Sequence, residues 1–208
     1  MERETIITAL GAVSTATLHE VMSKRNTLWP TIQPLWRPLS LCGPAFTVQA
    51  RPGDNLAVHW ALAVAPAGSV LVISHEGDNS CGGWGEIASE AALARGLRGL
   101  VTDGAVSDTE ACRRLGFPIF SQGVSIRGTT KAYLGAVDVP IVCGGALVHP
   151  GNYVVADEDG VVIVAREAAE QVLRKAHERD RREAEIMERL RAGELTVDLL
   201  GLRDKVSN

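Results

Sequence analysis

Short apolar runs alternate with alanine-rich segments through the first half of the chain, and the alternation predicts its elements. A helix is expected to open near Thr17, where Thr17 and Glu20 have capping-box spacing and Leu18 and Val21 begin an apolar face. Residues 28–40 carry three prolines and are read as irregular. Residues 45–50 (AFTVQA) form a strand, 51–55 (RPGDN) a turn, and 55–64 a helix that ends before Pro66. The run SVLVIS (69–74) has the character of a strand buried on both faces. After it come a glycine-rich loop over 75–85, a helix over 86–95 capped by Gly96, and a strand over 99–102. The loop DGAVSD, a short helix over 109–115 stopped by Gly116, and a strand over 117–121 complete the series.

This strand–helix rhythm predicts an α/β core with parallel pairing. Further on, 153–156 and 161–165 flank an Asp159-Gly160 turn and are expected to form a β-hairpin. The acids of DEDG belong to that turn, because calcium-loop spacing and its distal glutamate are absent. A highly charged helix spans 167–192, with Val172, Leu173, Ala176, Ile186, Met187 and Leu190 as its apolar stripe. Residues 1–166 are therefore read as one α/β domain and 167–208 as a helical tail suited to a subunit interface.

Composition narrows the function. The chain has 208 residues, 46% hydrophobic and 22% charged, with a net charge of −4. A field of that sign recruits neither nucleic acid nor an anionic membrane, and 4% aromatics offer little for base stacking. The start MERETIITAL lacks the pattern of a secretory signal, and no run is long enough to span a bilayer. Cys42, Cys81, Cys112 and Cys143 are scattered, which fits free thiols in a reducing compartment, so a cytoplasmic protein is expected.

In α/β proteins ligands gather at the carboxyl ends of parallel strands. Here the loop 75–85 ends at the start of the Glu86 helix, where glycines permit close approach and the N–H groups of 86–88 are expected to be free for an anion. The loop after the next strand carries Asp103 and Asp108, expected within reach of Glu86. Clustered carboxylates without a matching base suit magnesium or manganese. The helix dipole alone also favours Glu86, while Asp103 and Asp108 could serve only as turn and cap. GWGEIA matches a dinucleotide fingerprint, but it stands too far from its strand. The five histidines have no zinc spacing, no GxSxG elbow exists, and Lys131 is read as exposed rather than as a Schiff-base lysine.

The segments GDNLAVHWAL, WGEIASEAALARGLRGLVTDGAVSD, GFPIFSQG, VPIVCGG and VHPGNYVVADEDGVVIV resemble the metal-dependent 4-hydroxy-4-methyl-2-oxoglutarate / 4-carboxy-4-hydroxy-2-oxoadipate aldolases. That superfamily also contains the regulator of ribonuclease activity A, which has no known enzymatic chemistry. The resemblance covers nearly the whole chain and implies an α-β-β-α sandwich of the swivelling type, assembled as trimers or hexamers with sites between subunits. It implies a carbon–carbon lyase acting on a small oxo-acid, with Asp108 holding Mg2+ (or Mn2+). Glu86 would reach the metal through water, Glu183 would be donated to the metal site by a neighbouring subunit, and amides around Gly85, Ile87 and Ala88 would bind the oxo-acid carboxylate. The family's Arg-Asp pair is Ser107-Asp108 here. Loss of a charge-assisted contact to a developing oxyanion removes roughly 2–4 kcal/mol of transition-state stabilisation. Either another cation replaces it (Arg127 is the nearest candidate in sequence), or the substrate differs, or activity is lost. Retro-aldol cleavage and decarboxylation, both passing through an enolate, are open alternatives, as is a non-catalytic regulator.

Overall fold

Two helices, α1 (Arg3–Gly11) and α2 (Thr15–Val21), open the chain in a computed structural model that describes residues 1–206. The last two residues of the predicted 167–208 tail lie outside the described residues. Helix α2 is capped by Ser14, whose hydroxyl accepts the Thr17 N–H at 3.1 Å. The helix therefore starts ahead of Thr17, and the expected Thr17–Glu20 box is replaced by a cap three residues earlier.

The main sheet contains β1 (Gln33–Pro34), β2 (Leu41–Gln49), β3 (Val70–Ser74), β4 (Gly82–Trp84), β5 (Gly99–Val106), β6 (Ile119–Val124), β7 (Ala136–Val137), β10 (Tyr153–Asp157) and β11 (Gly160–Val164). Its order is β1-β6-β5-β3-β2-β10-β11, with β4 added beside β5 and β7 beside β2. As the sequence predicts, β2, β3, β5 and β6 run parallel, and α3 (Leu56–Val64), α4 (Glu86–Ala94) and α5 (Thr109–Leu115) connect them. The β10–β11 hairpin joins antiparallel to β2. Thr27 bridges Val162 and the Leu28 N–H donates to the Val161 carbonyl at 3.0 Å, so the segment before β1 meets β11 and nearly closes the sheet. A separate hairpin, β8 (Ile141–Cys143) with β9 (Ala146–Val148), had no counterpart in the sequence pattern.

Strand alternation sorts the core into layers. Val70, Val72, Val101, Val154, Ala156, Val161 and Ile163 face inward and meet β8–β9 inside the curled sheet. Leu71, Ile73 and Leu100 face the other way, against α3, α4 and α5. Tyr153, Val155, Val162 and Val164 pack under α1, α2 and the long helix α6 (Ala169–Arg191). The layering is α-β-β-α. Each buried Val, Leu or Ile contributes about 1.5–3 kcal/mol of transfer free energy. On α6 the stripe divides: Val172, Leu173 and Ala176 are buried, while Met187 is exposed. Among the described residues no helix is long and apolar enough to cross a membrane.

β5 extends through residues read as a loop, which corrects the expected position of Asp103. A carboxylate is tolerated inside this buried strand because donors surround it. The His75 N–H donates at 2.6 Å, while the Ser74 hydroxyl and the Gly144 N–H each donate at 3.2 Å. Asp103 thus ties the end of β3 and the β8–β9 turn to β5. Asp103→Ala leaves these donors buried without an acceptor, at about 1–3 kcal/mol apiece. Urea denaturation is expected to show a loss of at least about 3 kcal/mol at unchanged m-value.

Candidate functional site

The ends of β4 and β5 approach so closely that side chains would obstruct them. The Ser107 N–H donates to the Trp84 carbonyl at 2.8 Å, and the Glu86 N–H donates to Asp108 Oδ2 at 3.0 Å. Between them lies Gly85, where a Cβ would stand 2.3 Å from Asp108 Oδ2 and 2.9 Å from Ser107 Oγ. Asp108 has φ +52°, a left-handed conformation that costs a non-glycine residue about 1–3 kcal/mol unless its surroundings enforce it. Its carboxylate does not cap its own helix; it turns back to the start of α4. Trp84 steadies that start: it stacks on Phe117 with ring centroids 5.7 Å apart, and its Nε1 donates to Ser89 Oγ at 2.8 Å. Ser89 in turn donates to the Gly85 carbonyl at 3.0 Å.

These residues form one wall of a cleft of about 330 Å³ that takes in Gly85, Ile87, Ala88, Ser107 and Asp108. Gly85 offers no side-chain cap to α4, and the Glu86 N–H is taken by Asp108, contrary to its expected freedom. The N–H groups of Ile87 and Ala88, also in the first turn, remain for an anion.

Asn55, His59, Gly128, Thr129 and Lys131 complete the lining, with Asn55 Nδ2 donating to the Gly83 carbonyl at 3.2 Å. Buried Asp54 holds this part of the lining in place. Its carboxylate accepts the Leu56 N–H at 2.9 Å, the Thr130 hydroxyl at 2.6 Å and the Ala132 N–H at 2.7 Å, and so pins the segment around Lys131 to the start of α3. Burial pushes the Asp54 carboxyl up, but these hydrogen bonds and one from Tyr133 outweigh it and hold the group at about 2. Under the cleft, burial pushes the Cys112 thiol up, which keeps it protonated and unreactive.

Of the other predicted site residues, Glu86 directs its carboxylate to Arg114 at 3.2 Å and does not line the cleft. That pair is exposed and worth little, so Glu86 is free to reorient. Asp103 is occupied by the bonds described above. Arg127 is exposed and absent from the cleft lining, although its carbonyl accepts the Gly82 N–H at 2.9 Å. Glu183 pairs with Arg179 at 2.6 Å on α6 and lines a different groove. The sequence reading missed Asn55, His59 and the placement of Lys131. The i,i+4 spacing of Asn55 and His59 at the start of α3 was the available signal.

Among the described residues no group of three or more His, Cys, Asp or Glu side chains is arranged to hold an ion. The donor chemistry still fits magnesium, which commonly takes one or two carboxylates and completes its shell with water and substrate. Asp108 is the one carboxylate lining the cleft, and the glycine beside it leaves space where a Cβ would intrude.

The RraA-like family model, described as Aldolase/RraA, matches residues 15–163. A protein of Halalkalibacterium halodurans provisionally named a 4-hydroxy-4-methyl-2-oxoglutarate aldolase is 38% identical over 170 residues, covering 82% of this chain and 81% of its own. Among solved structures, an uncharacterized protein from Pseudomonas syringae pv. tomato superposes with a TM-score of 0.84 at 29% identity, covering 99% of this chain and 97% of that one. Streptomyces coelicolor RraAS2, described as an unusual member of the RNase ES inhibitor RraA protein family, has a TM-score of 0.78 at 30% identity over 91% and 98% of the two chains. The fold and these matches define a member of an α/β family that includes both named aldolases and named RNA-processing inhibitors. This chain belongs to the RraA-like, Aldolase/RraA, family.

Two outcomes follow from this geometry. Gly85→Ala drives a methyl group to within 2.3 Å of the Asp108 carboxylate, and thermal denaturation is expected to show a loss of about 1–3 kcal/mol. For Asp54, the folded value of about 2 lies below the ordinary 3.8, so its contribution is present above about pH 4 and is lost as pH falls towards 2. Denaturation series at pH 5 and pH 2 are expected to show the wild-type advantage over Asp54→Asn shrinking by roughly 2 kcal/mol.

Proposed function

We propose that the protein is a divalent-metal-dependent lyase that breaks a carbon–carbon bond of a small oxo-acid, by retro-aldol cleavage or decarboxylation. The observation that carries this reading is the convergence, in one cleft, of the Asp108 carboxylate and the first-turn amides of α4. The Ile87 and Ala88 N–H groups, with the positive end of the helix behind them, bind the oxo-acid carboxylate. Asp108 is the residue that would hold magnesium or manganese, with Glu86 and a neighbouring subunit's Glu183 orienting its water shell. When bound, the ion would supply the positive charge that stabilises an enolate oxygen.

Ser107 faces the same space with a hydroxyl, which donates a hydrogen bond but no charge. The cation that lines the cleft is Lys131 rather than Arg127, which makes it the candidate to supply the positive charge absent from position 107. The match to the H. halodurans protein's provisional aldolase name supports this assignment. Completion of the site by Glu183 implies a homotrimer or homohexamer. A second reading, a non-catalytic regulator on the same scaffold, is favoured by Ser107 and by the likeness to RraAS2.

Release of pyruvate or carbon dioxide from a panel of 2-oxo-acids, measured with magnesium and with chelator, tests the assignment. Wild type is expected to turn over only with the metal. Asp108→Asn is expected to keep its thermal midpoint, because asparagine also tolerates the left-handed conformation, and to lose at least about 10²-fold in activity. Ser107→Arg is expected to raise turnover. Full metal-dependent activity in the Asp108 variant overturns the lyase assignment, and a silent wild type leaves the regulator.

A further inference from the structure

Where β3 ends, its place beside β5 passes to β4. Val70 to Ile73 pair with Gly99 to Thr102, and further along β5 Ala105 and Val106 pair with Gly82 and Trp84. His75 is the first residue past β3 and is buried at this junction. Its imidazole takes the space that side chains at two glycines would need. A Cβ at Gly83 would stand 2.8 Å from His75 Nε2, and one at Gly104 would stand 2.6 Å from its Cδ2. Neither glycine has a left-handed backbone, so the close approach of the ring, not backbone freedom, accounts for both.

The ring also meets the turn that precedes α3. Burial holds His75 below its ordinary 6.5, against the opposing pull of the Arg51 carbonyl and of the Asp103, Asp78 and Asp54 carboxylates. The imidazole is therefore neutral near pH 7 and packs on the strands without a charge. From the same turn, Asn55 Nδ2 donates to the Gly83 carbonyl at 3.2 Å, so the contacts of both segments converge on one residue of β4. Two residues on, at Gly85, a Cβ would already stand 2.3 Å from Asp108 Oδ2. A displacement of Gly83 thus passes along β4 to the Glu86–Asp108 hydrogen bond.

We propose that His75 is a positioning residue of the cleft: its ring sets how β4 lies on β5, and so brings Gly85 and the Glu86 N–H to the Asp108 carboxylate. The inference rests on the lyase reading above, which makes Asp108 and the first turn of α4 the working groups. His75 is absent from the cleft lining and acts only through the glycines it touches. Removing the ring leaves a cavity into which β4 can relax, and filling a glycine crowds the ring from the other side. Both changes disturb one hydrogen bond, although neither touches its partners.

Hydrogen exchange at the Glu86 amide, followed by NMR on the isotope-labelled protein without metal, reads the bond to Asp108 directly. Amides of the β10–β11 hairpin serve as the reference for global stability. His75→Ala is expected to speed Glu86 exchange about tenfold or more relative to that reference, and His75→Gln to keep it within about threefold of wild type. Gly83→Ala is expected to loosen Glu86 as well. Combined with His75→Ala it is expected to do less harm than in the wild type, because its methyl then enters vacated space. Pyruvate or carbon dioxide release from the 2-oxo-acid panel with magnesium is measured alongside, and kcat is expected to fall in the order that Glu86 exchange rises. Glu86 exchange that moves only in step with the hairpin, in His75→Ala or in Gly83→Ala, overturns the role of His75. So do additive effects in the double variant, or an unchanged kcat where Glu86 is loosened. Should His75→Ala fail to fold, Gly83→Ala and His75→Gln decide by the same exchange measurement. A wild type silent towards every oxo-acid overturns the lyase reading, while Glu86 exchange still decides whether His75 sets the cleft.

Discussion

The site depends on a side chain that is missing. Without a Cβ at Gly85, the chain leaving β4 can lie against the end of β5 until the Asp108 carboxylate receives a backbone N–H. That single approach sets three things together. It fixes the direction of Asp108, it brings the first turn of α4 to the cleft, and it uses the Glu86 amide while leaving its two successors open. β-pairing between Gly82–Trp84 and Ala105–Val106 provides the frame, and the Trp84–Phe117 stack holds it from behind.

The site carries both a left-handed carboxylate and unpartnered polar atoms, features that also occur singly elsewhere in the chain. Asp108 occupies a left-handed backbone conformation, and Asn55 Oδ1 and His59 Nε2, on residues of the cleft lining, are buried without hydrogen-bond partners. Asp54 and Asp103, by contrast, are buried acids with every nearby donor directed at them. The two kinds of carboxylate do different work. Asp54 and Asp103 fasten loops to the sheet, and Asp108 presents itself to the cleft.

Much of this was legible in the sequence for plain reasons. Runs such as SVLVIS announce a strand covered on both faces, Gly96 and Gly116 mark helix ends, and the Asp-Gly turn marks the β10–β11 hairpin. The nearness of Asp108 to the start of α4 followed from loops at the ends of neighbouring strands, whereas Ser107 was pointed out only by the family resemblance. What escaped was set by contacts between distant parts of the chain. Asp103 looks like a turn residue until Gly144 arrives from β8–β9 to satisfy it. Three residues, Gly-Gly-Trp, carry no period from which β4 could be inferred. Lys131 is exposed, as its sequence suggested, but its place at the cleft escaped because it is dictated by the hydrogen bonds of Asp54, 77 residues upstream, to its two neighbours, Thr130 and Ala132.

Position 107 has a particular freedom. Its backbone is secured by the bond to Trp84, and its neighbour Asp108 is secured separately by Glu86. The side chain at 107 adds only a long hydroxyl bond of 3.3 Å to the same Trp84 carbonyl, while it lines the cleft. Mutation can exchange what it carries without disturbing the anchor beside it. A lineage can thus drift in substrate preference through this one residue while glycine at 85 and aspartate at 108 stay under strict selection. In evolutionary terms the site is modular, with a fixed anchor and a variable neighbour.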